Sequence, residues 1–380
     1  MAVRMGEESP PGPENLAELT GDDAWKQALR DVPREWFVPE RAWTTRTGLL
    51  ERESDPDAWN QAVYTDAPIV TQIDDGSTEL TNESPWMTTN HSSSCSAPRF
   101  VVHFLDLLAP YFGDRVLEVG TGTGWTAGLL SARLGGDNIT SIEVDERVAD
   151  HARTNLERAG LSPHLVVGDG QKGHPEGAPF DRVHVTCGVR EIPYAWVEQT
   201  RPGGVIVLPW MHGALDVGHK AKLIVTGNRA VGRFHGECAY MMLRSQREPT
   251  QPIEGEVRES EPTVDPRRIA VAGSGLSVWI AGAMPGVSVS DGNHRPDGAF
   301  RMVAWDRHGE SHARVDYWPE EHSGRVRQRG PRDLWQELEQ AYLAWIDRGG
   351  PGIERFGLTI DASGQRVWLD RPECLVERMG

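Results

Sequence analysis

The residues whose types and spacing best suit chemistry lie in a glycine-rich segment, EVGTGTG at 118–124. A strand-like run at 115–120 leads into it, and a helix-like run at 126–134 follows. Glycines at such a turn let the backbone bend sharply and approach a ligand without a Cβ clash. A loop of this kind also occurs in dinucleotide enzymes, or merely makes a tight turn. The spacing GxGxxG is missing here, which disfavours a nicotinamide oxidoreductase.

Two acidic residues follow the next strand-like runs. Glu143 lies near the end of the run at 138–144, about 20 residues after the glycines, where a carboxylate reaches ribose hydroxyls. Asp169 stands between two glycines after a third run, placed to accept a hydrogen bond from an adenine amino group. Each is also consistent with an ordinary strand-end acid or turn aspartate. Together with the glycines, they indicate an adenosine-containing cofactor.

Strands and helices alternate around these residues. The strand-like runs lie at 115–120, 138–144, 164–170 and 180–188. Helix-like runs separate the first three, and this alternation predicts a mostly parallel sheet in a doubly wound α/β domain.

Composition and pattern divide the chain into four expected regions. They are a disordered tail at 1–15, an N-terminal helical region at 16–95 that ends in a long polar substrate loop at 74–92, a cofactor-binding core at 96–245, and a smaller accessory α+β domain at 246–380. The accessory domain is expected to contain a helix opened by Pro331 and a hairpin at 356–370. Loops as long as 74–92 are often functional lids or binding loops.

Charge and composition exclude several classes of protein. The 380-residue chain has a formal net charge of -17, which opposes binding to nucleic acid. No apolar run is long enough for a membrane span or a signal peptide, so we expect a cytoplasmic protein. The four cysteines show no CxxC pair, and no histidine cluster accompanies them, so neither a disulfide framework nor a metal site is expected.

The glycines and acids resemble those of the class I methyltransferases, and further segments resemble the protein L-isoaspartyl O-methyltransferases. RVLEVGTGTGW, SIEVD, VVGDGQKG, APFDRVHVT, EIP and RPGGVIVLP stand in that family's order, roughly over residues 60–210. The resemblance implies a Rossmann-like class I fold and S-adenosylmethionine as cofactor. The residues it would assign to the cofactor are Ser93, Ser94, Glu118, Gly120, Thr121, Gly122, Glu143, Asp169 and Gly170. Glu118 would lie near the methionine end, or is simply a strand-end acid.

The motif Ser96-Ala97-Pro98 resembles the family's active-site segment and implies a catalytic role for Ser96. A carboxylate is already a nucleophile at neutral pH, so methyl transfer to it needs in-line positioning more than a strong base. A helix N-terminus with a serine hydroxyl and free N–H groups would hold such an anion. Ser96 is also consistent with a plain N-cap.

Two departures resemble a subgroup that modifies ribosomally made peptides, the graspetides and some lanthipeptides. The link between the YTDAP segment (64–68) and the active-site serine is long, and the chain continues far beyond the core. VTQIDDG, SSSCSAP, PYAWVEQ and GQRVWLD also resemble that subgroup. This implies methylation of an aspartate in a crosslinked precursor peptide, followed by aspartimide formation. Arg99 and Arg190 are then candidate cations for the substrate.

Other functions remain open on the sequence alone. They are repair of L-isoaspartyl damage in general proteins, methylation of a small molecule, and a nonenzymatic binding role.

Overall fold

The structure is a computed structural model that describes residues 12–88, 90–248 and 255–379. The chain divides into two compact units, residues 1–186 and 187–380. Within the described ranges, no helix combines the length and apolar character needed to cross a membrane.

The first part of unit 1 combines short helices with a small sheet. Its elements are α1 (Pro13–Ala17), α2 (Asp23–Asp31), β1 (Arg41–Thr44), β2 (Gly48–Glu51), α3 (Pro56–Val63), β3 (Ile69–Ile73), α4 (Ser84–Met87) and β4 (His91–Cys95). The strands form an antiparallel sheet in the order β2-β1-β3-β4.

This region corrects two expectations. Residues 13–15 begin a helix instead of continuing a disordered tail, because Asn15 accepts the Gly12 N–H at 2.9 Å and the next turn buries Leu16. The remainder of that tail, residues 1–11, lies outside the described residues. The region is also not simply helical, and β4 occupies the end of the expected loop. The His and Ser side chains of β4 show no apolar alternation, so the sequence does not predict this strand. Its strand conformation depends on backbone pairing with β3.

The second part of unit 1 is the α/β core. Its elements are α5 (Pro98–Leu108), β5 (Val116–Val119), α6 (Trp125–Leu134), β6 (Ile139–Glu143), α7 (Glu146–Arg158), β7 (His164–Val167) and β8 (Phe180–Val185). The strands are parallel in the order β8-β5-β6-β7, which confirms the predicted doubly wound core. Asp145 caps α7, since its carboxylate accepts the N–H groups of Arg147 and Val148. Parallel strands place their carboxyl ends along one edge, where ligands bind.

Unit 2 is rich in antiparallel sheet. Its elements are α8 (Tyr194–Glu198), β9 (Thr200–Trp210), β10 (Gly218–Val225), β11 (Ala230–Cys238), β12 (Arg258–Ser260), α9 (Pro266–Ala270), α10 (Ser274–Ala283), β13 (Val287–Val289), β14 (Asn293–His294), β15 (Phe300–Asp306), β16 (His312–Trp318), β17 (Ser323–Arg329), α11 (Leu334–Asp347), β18 (Phe356–Asp361) and β19 (Gly364–Leu369). One set of strands runs β9-β10-β11-β18-β19, and the other β12-β17-β16-β15-β13 with β14 beside β15.

The two units differ from the regions expected from composition. The polar stretch near residue 246 does not separate two bodies, because the hairpin β18–β19 pairs with β11 from before it. The hairpin and the helix α11 themselves lie where the sequence places them. The compositional shift therefore marks a connection inside unit 2.

Candidate active site

The glycine loop follows β5 in a conformation that requires glycine. Gly120, Gly122 and Gly124 have φ angles of 98°, 56° and 90°, which side chains other than glycine rarely adopt. A Cβ on Gly124 would lie 3.3 Å from the Ala152 Cβ of α7. Backbone N–H groups of Gly120 and Thr121 donate to the Ile142 carbonyl, which fixes the loop to β6.

Glu143, at the end of β6, lies against this loop. Its Oε2 accepts the Gly122 N–H at 2.9 Å, and its Oε1 accepts the Asp145 N–H at 3.1 Å. The Gly168 N–H donates to the Glu143 carbonyl at 2.8 Å, so the segment that carries Asp169 begins beside Glu143. Asp169 itself accepts the Gln171 N–H at 3.0 Å, and Gly170 is buried. The predicted ribose and adenine acids thus occur on adjacent strand ends.

Glu118, which is expected near the methionine end of the cofactor, has a side chain that is 0% exposed. It accepts a hydrogen bond from Ser141 on β6 at 2.5 Å, and Ser141 is 2.6 Å from the Thr121 hydroxyl. Burial raises the pKa of the Glu118 carboxyl to about 8 and lowers that of His184 to about 3. Both groups are therefore neutral near pH 7, and their 4.0 Å separation does not join an ion pair. Glu118 therefore supports the glycine loop through Ser141, whose hydroxyl also contacts that of Thr121.

The serines assigned to the site lie on β4 or directly after it. The Ser93 hydroxyl is 3.0 Å from that of Thr71 on β3. The Ser94 carbonyl lies 3.4 Å from where a Cβ on Gly122 would stand, so β4 touches the glycine loop. Ser96 follows, half-buried, and it is not the N-cap of α5, since Ala97 occupies that position without a side-chain cap. Its hydroxyl has no hydrogen-bond partner among the described residues.

The helix N-terminus beside Ser96 is not free, contrary to the expectation. The Asp66 carboxylate accepts both the backbone N–H and the Nε–H of Arg99, each at 2.9 Å. A substrate carboxylate at this end of α5 would have to displace Asp66. The Arg99 side chain is more than half exposed and keeps further donors.

Arg190 lies in unit 2 and is not a free cation. Its Nη1 pairs with Glu248 at 2.8 Å and donates to Ser288 at 2.6 Å. Burial lowers its pKa, and the Glu248 carboxylate opposes that shift. A substrate carboxylate would have to compete with Glu248 for this guanidinium.

Arg34 is a positioning residue that the sequence does not reveal. Its guanidinium is 0% exposed and donates to the Cys95 and Ser96 carbonyls at 2.9 and 2.8 Å. Further donors reach the carbonyls of Val63, Thr65 and Ala67. The same group stands 5.3 Å from the Trp125 ring, the first residue of α6 after the glycine loop. Arg34 therefore holds the Ser96 segment close to the loop, and no spacing pattern marks it.

Thr186, directly after β8, is a second residue of the site that was not predicted from the sequence. Its hydroxyl donates to the Val119 carbonyl at 3.1 Å and also bonds the Gly120 carbonyl, which fixes the start of the glycine loop. Its place at the carboxyl end of a parallel strand was a usable signal. Among the described residues, no group of three or more His, Cys, Asp or Glu side chains is arranged to hold a metal ion.

The chain is similar to known proteins over the region that contains this site. The sequence model described as Protein-L-isoaspartate(D-aspartate) O-methyltransferase (PCMT) matches residues 49–247. The protein-L-isoaspartate O-methyltransferase of Methanopyrus kandleri is 32% identical over 224 residues, which cover 57% of this chain and 81% of that protein. The one from Pyrococcus horikoshii is 44% identical over 115 residues, 30% of this chain and 52% of that protein. The chain thus spans about half the length of that relative.

A solved structure named protein-L-isoaspartate O-methyltransferase superposes with a TM-score of 0.54 at 21% identity. The match covers 94% of this chain and 98% of the other, and it confirms the predicted class I methyltransferase fold. The family match covers more than half of the sequence and includes the glycine loop, both acids and Ser96. This chain therefore belongs to the protein-L-isoaspartate(D-aspartate) O-methyltransferase family.

Proposed function

We propose that this protein transfers a methyl group from S-adenosylmethionine to a carboxylate oxygen of a peptide. The observation that carries the proposal is the contact between β4 and the glycine loop, where the Ser94 carbonyl meets Gly122. The half-buried Ser96 follows two residues after Ser94, which contacts the loop assigned to the methyl donor. A donor site and an acceptor site on touching elements are what a direct transfer requires.

The roles of the residues follow from their places. Glu143 offers carboxylate oxygens to ribose hydroxyls, Asp169 accepts from the adenine amino group, and the backbone of Gly120 and Gly122 leaves room for the cofactor. When bound, S-adenosylmethionine supplies the methyl group. Ser96 donates a hydrogen bond to one acceptor oxygen and aims the other at that methyl carbon. One O–CH₃ bond forms as the S–CH₃ bond breaks, and an ionised carboxylate needs no general base.

For the acceptor, we propose an aspartate side chain in a crosslinked, ribosomally made peptide of the graspetide or lanthipeptide type. The resulting ester is attacked by a backbone amide nitrogen, methanol leaves, and an aspartimide remains. Support comes from the segment between β3 and β4, in which Trp86 is 66% exposed and Met87 is 85% exposed. Exposed apolar side chains on a polar segment suit a peptide partner.

Repair of L-isoaspartyl residues is the second candidate, and a specific observation favours it. The solved structure that carries the repair enzyme's name matches 94% of this chain. The residues after the core therefore do not separate a peptide-modifying enzyme from a repair enzyme, contrary to the expectation drawn from chain length. Only substrate preference separates the two candidates.

A competition experiment measures that preference. A crosslinked peptide, its linear form and an isoaspartyl peptide are mixed with limiting enzyme, and the methylated products are counted by mass spectrometry. Faster methylation of the crosslinked peptide supports peptide maturation, and preference for the isoaspartyl peptide assigns the protein to repair. Equal rates on all three would refute selectivity for a constrained substrate.

A further inference from the structure

A cavity of about 430 Å³ lies within unit 1, between the sheet β2-β1-β3-β4 and the helix α7. The sheet side contributes Thr71 and Gln72, and the helix side contributes His151 and Thr154. Its volume lies in the range of pockets that hold small ligands, about 300–1,000 Å³. It can take a short peptide segment.

The cavity meets the site assigned to the cofactor at two of that site's residues. Gly122 and Ser93 line it, whereas Gly120, Glu143 and Asp169 do not. A ligand here would contact the glycine loop at Gly122 and β4 at Ser93, three residues before Ser96. The cavity is therefore bordered by the strand that leads to Ser96, and Glu143 and Asp169 lie outside its lining.

Two arginines, Arg41 and Arg147, line the cavity. They differ in whether a carboxylate lies close enough to neutralise the charge of the guanidinium. Arg41 is 3.0 Å from Glu79 and 3.7 Å from Glu51. Arg147 donates to the Asp75 carbonyl at 3.1 Å and has no carboxylate within ion-pair distance in the described part of the chain. In a protein with a net charge of -17, an exposed guanidinium without a carboxylate partner is a specific attraction for an anion.

The other residues that line the cavity suit the methylene groups of an acidic residue and the backbone of the peptide around it. Phe37, Pro39 and Val148 offer apolar surface to methylene groups. The Asn155 and Thr154 side chains donate to the Thr123 and Asp150 carbonyls, and their oxygens can accept from a peptide backbone. An apolar wall with a few polar groups and one charged side chain is the usual composition of a binding pocket. Because Arg's fork of donors matches a carboxylate, a carboxylate is the anion that fits a peptide ligand.

We propose that this cavity binds a second carboxylate of the acceptor peptide, one that is not methylated, through Arg147. The proposal rests on the peptide methyl transfer proposed above and names how that site recognises its substrate. Two anchored points, the reacting carboxylate near Ser96 and an acidic neighbour at Arg147, would fix the register of the peptide.

Direct binding tests this without relying on turnover. The probes are two fluorescently labelled isoaspartyl peptides that are identical except for glutamates or glutamines flanking the isoaspartyl residue. Their affinities are measured by anisotropy on full-length protein saturated with S-adenosylhomocysteine, using wild type, Arg147→Gln and Arg153→Gln. Arg153 is the matched control, because it lies on α7, pairs with Asp150 and does not line the cavity. Thr154→Phe, at an exposed position, fills the cavity without altering its charge.

Wild type and Arg153→Gln are expected to bind the glutamate peptide about tenfold more tightly than the glutamine peptide. Arg147→Gln should lose that preference, and Thr154→Phe should weaken binding of both peptides. A preference that survives Arg147→Gln, or no preference in wild type, would overturn the proposal. Methyl transfer is assayed separately on the same peptides and on a crosslinked peptide. Preferential binding with no transfer to any of them would refute the proposed activity alone, and transfer without preference would refute the carboxylate site alone.

Discussion

The Arg34 guanidinium donates a 2.8 Å hydrogen bond to the Ser96 carbonyl from a fully buried position. A buried cation without a carboxylate partner is costly unless polar groups surround it. Here main-chain carbonyls of residues 63–67 and 95–96 supply that environment. The ion therefore ties the backbone of the serine segment to two other parts of unit 1.

Arg34→Lys is expected to slow methyl transfer at least tenfold and to leave S-adenosylhomocysteine affinity within twofold. A lysine ammonium has three donors and cannot reach all five carbonyls, which leaves buried acceptors unpaired at about 1–3 kcal/mol each. Arg52→Lys is the control, since Arg52 also stands over a tryptophan ring, that of Trp59, but its side chain is 43% exposed. Equal turnover of Arg34→Lys and Arg52→Lys would show that the Ser96 segment keeps its position without Arg34.

Ser96→Ala is expected to lower kcat on the order of a hundredfold, because loss of one positioned donor at a reacting oxygen has that size. Cofactor affinity should not change. Ser54→Ala, which removes an exposed hydroxyl bonded to the Glu51 carbonyl, serves as the control. Turnover within a factor of two of wild type would leave Ser96 without a role in the reaction.

Glu143→Ala is expected to weaken S-adenosylhomocysteine binding at least tenfold, about 1.4 kcal/mol. The variant loses the acceptor for ribose hydroxyls and also frees the Gly122 N–H that the carboxylate now accepts. Glu157→Ala, near the far end of α7, controls for charge. Calorimetry that shows unchanged affinity for Glu143→Ala would remove this residue from the cofactor site.

The raised pKa of Glu118 predicts a pH-dependent stability. The folded protein keeps the Glu118 proton up to about pH 8, whereas the unfolded chain releases it near its ordinary value of 4.5. Between these values the folded state binds more protons, so the contribution of Glu118 to the free energy of unfolding falls as pH rises. The fall is at most about 1.4 kcal/mol per pH unit.

Urea unfolding of wild type and Glu118→Gln, repeated from pH 5 to pH 8, measures this contribution as a difference. Wild type should lose stability relative to Glu118→Gln as pH rises through this window. Glu157→Gln should show a constant difference from wild type. A constant difference for Glu118→Gln as well would mean that Glu118 is not held protonated.

Short sequence patterns predicted much of the α/β core and the order in which the candidate site residues follow its strands. Glycines at a strand-to-helix turn and acids at strand ends are visible in the sequence because each depends on its own strand, as Glu143 and Asp169 show. Arg34 was invisible because its partners are backbone carbonyls about 30 and 60 residues away. β4 was not predicted for a related reason, because its strand conformation depends on pairing with β3 rather than on apolar alternation. For Glu118, the sequence predicts an acid at the end of a strand but does not reveal that neighbouring strands bury it.

The most direct test of the central claim follows the methyl group itself. A peptide substrate is incubated with enzyme and S-adenosylmethionine whose methyl carries deuterium, and products are analysed by mass spectrometry before and after mild base. Transfer to a carboxylate predicts one labelled methyl on an aspartyl or isoaspartyl residue, then labelled methanol and a peptide lighter than the starting peptide by one water. A methyl that withstands mild base would contradict carboxyl O-methylation.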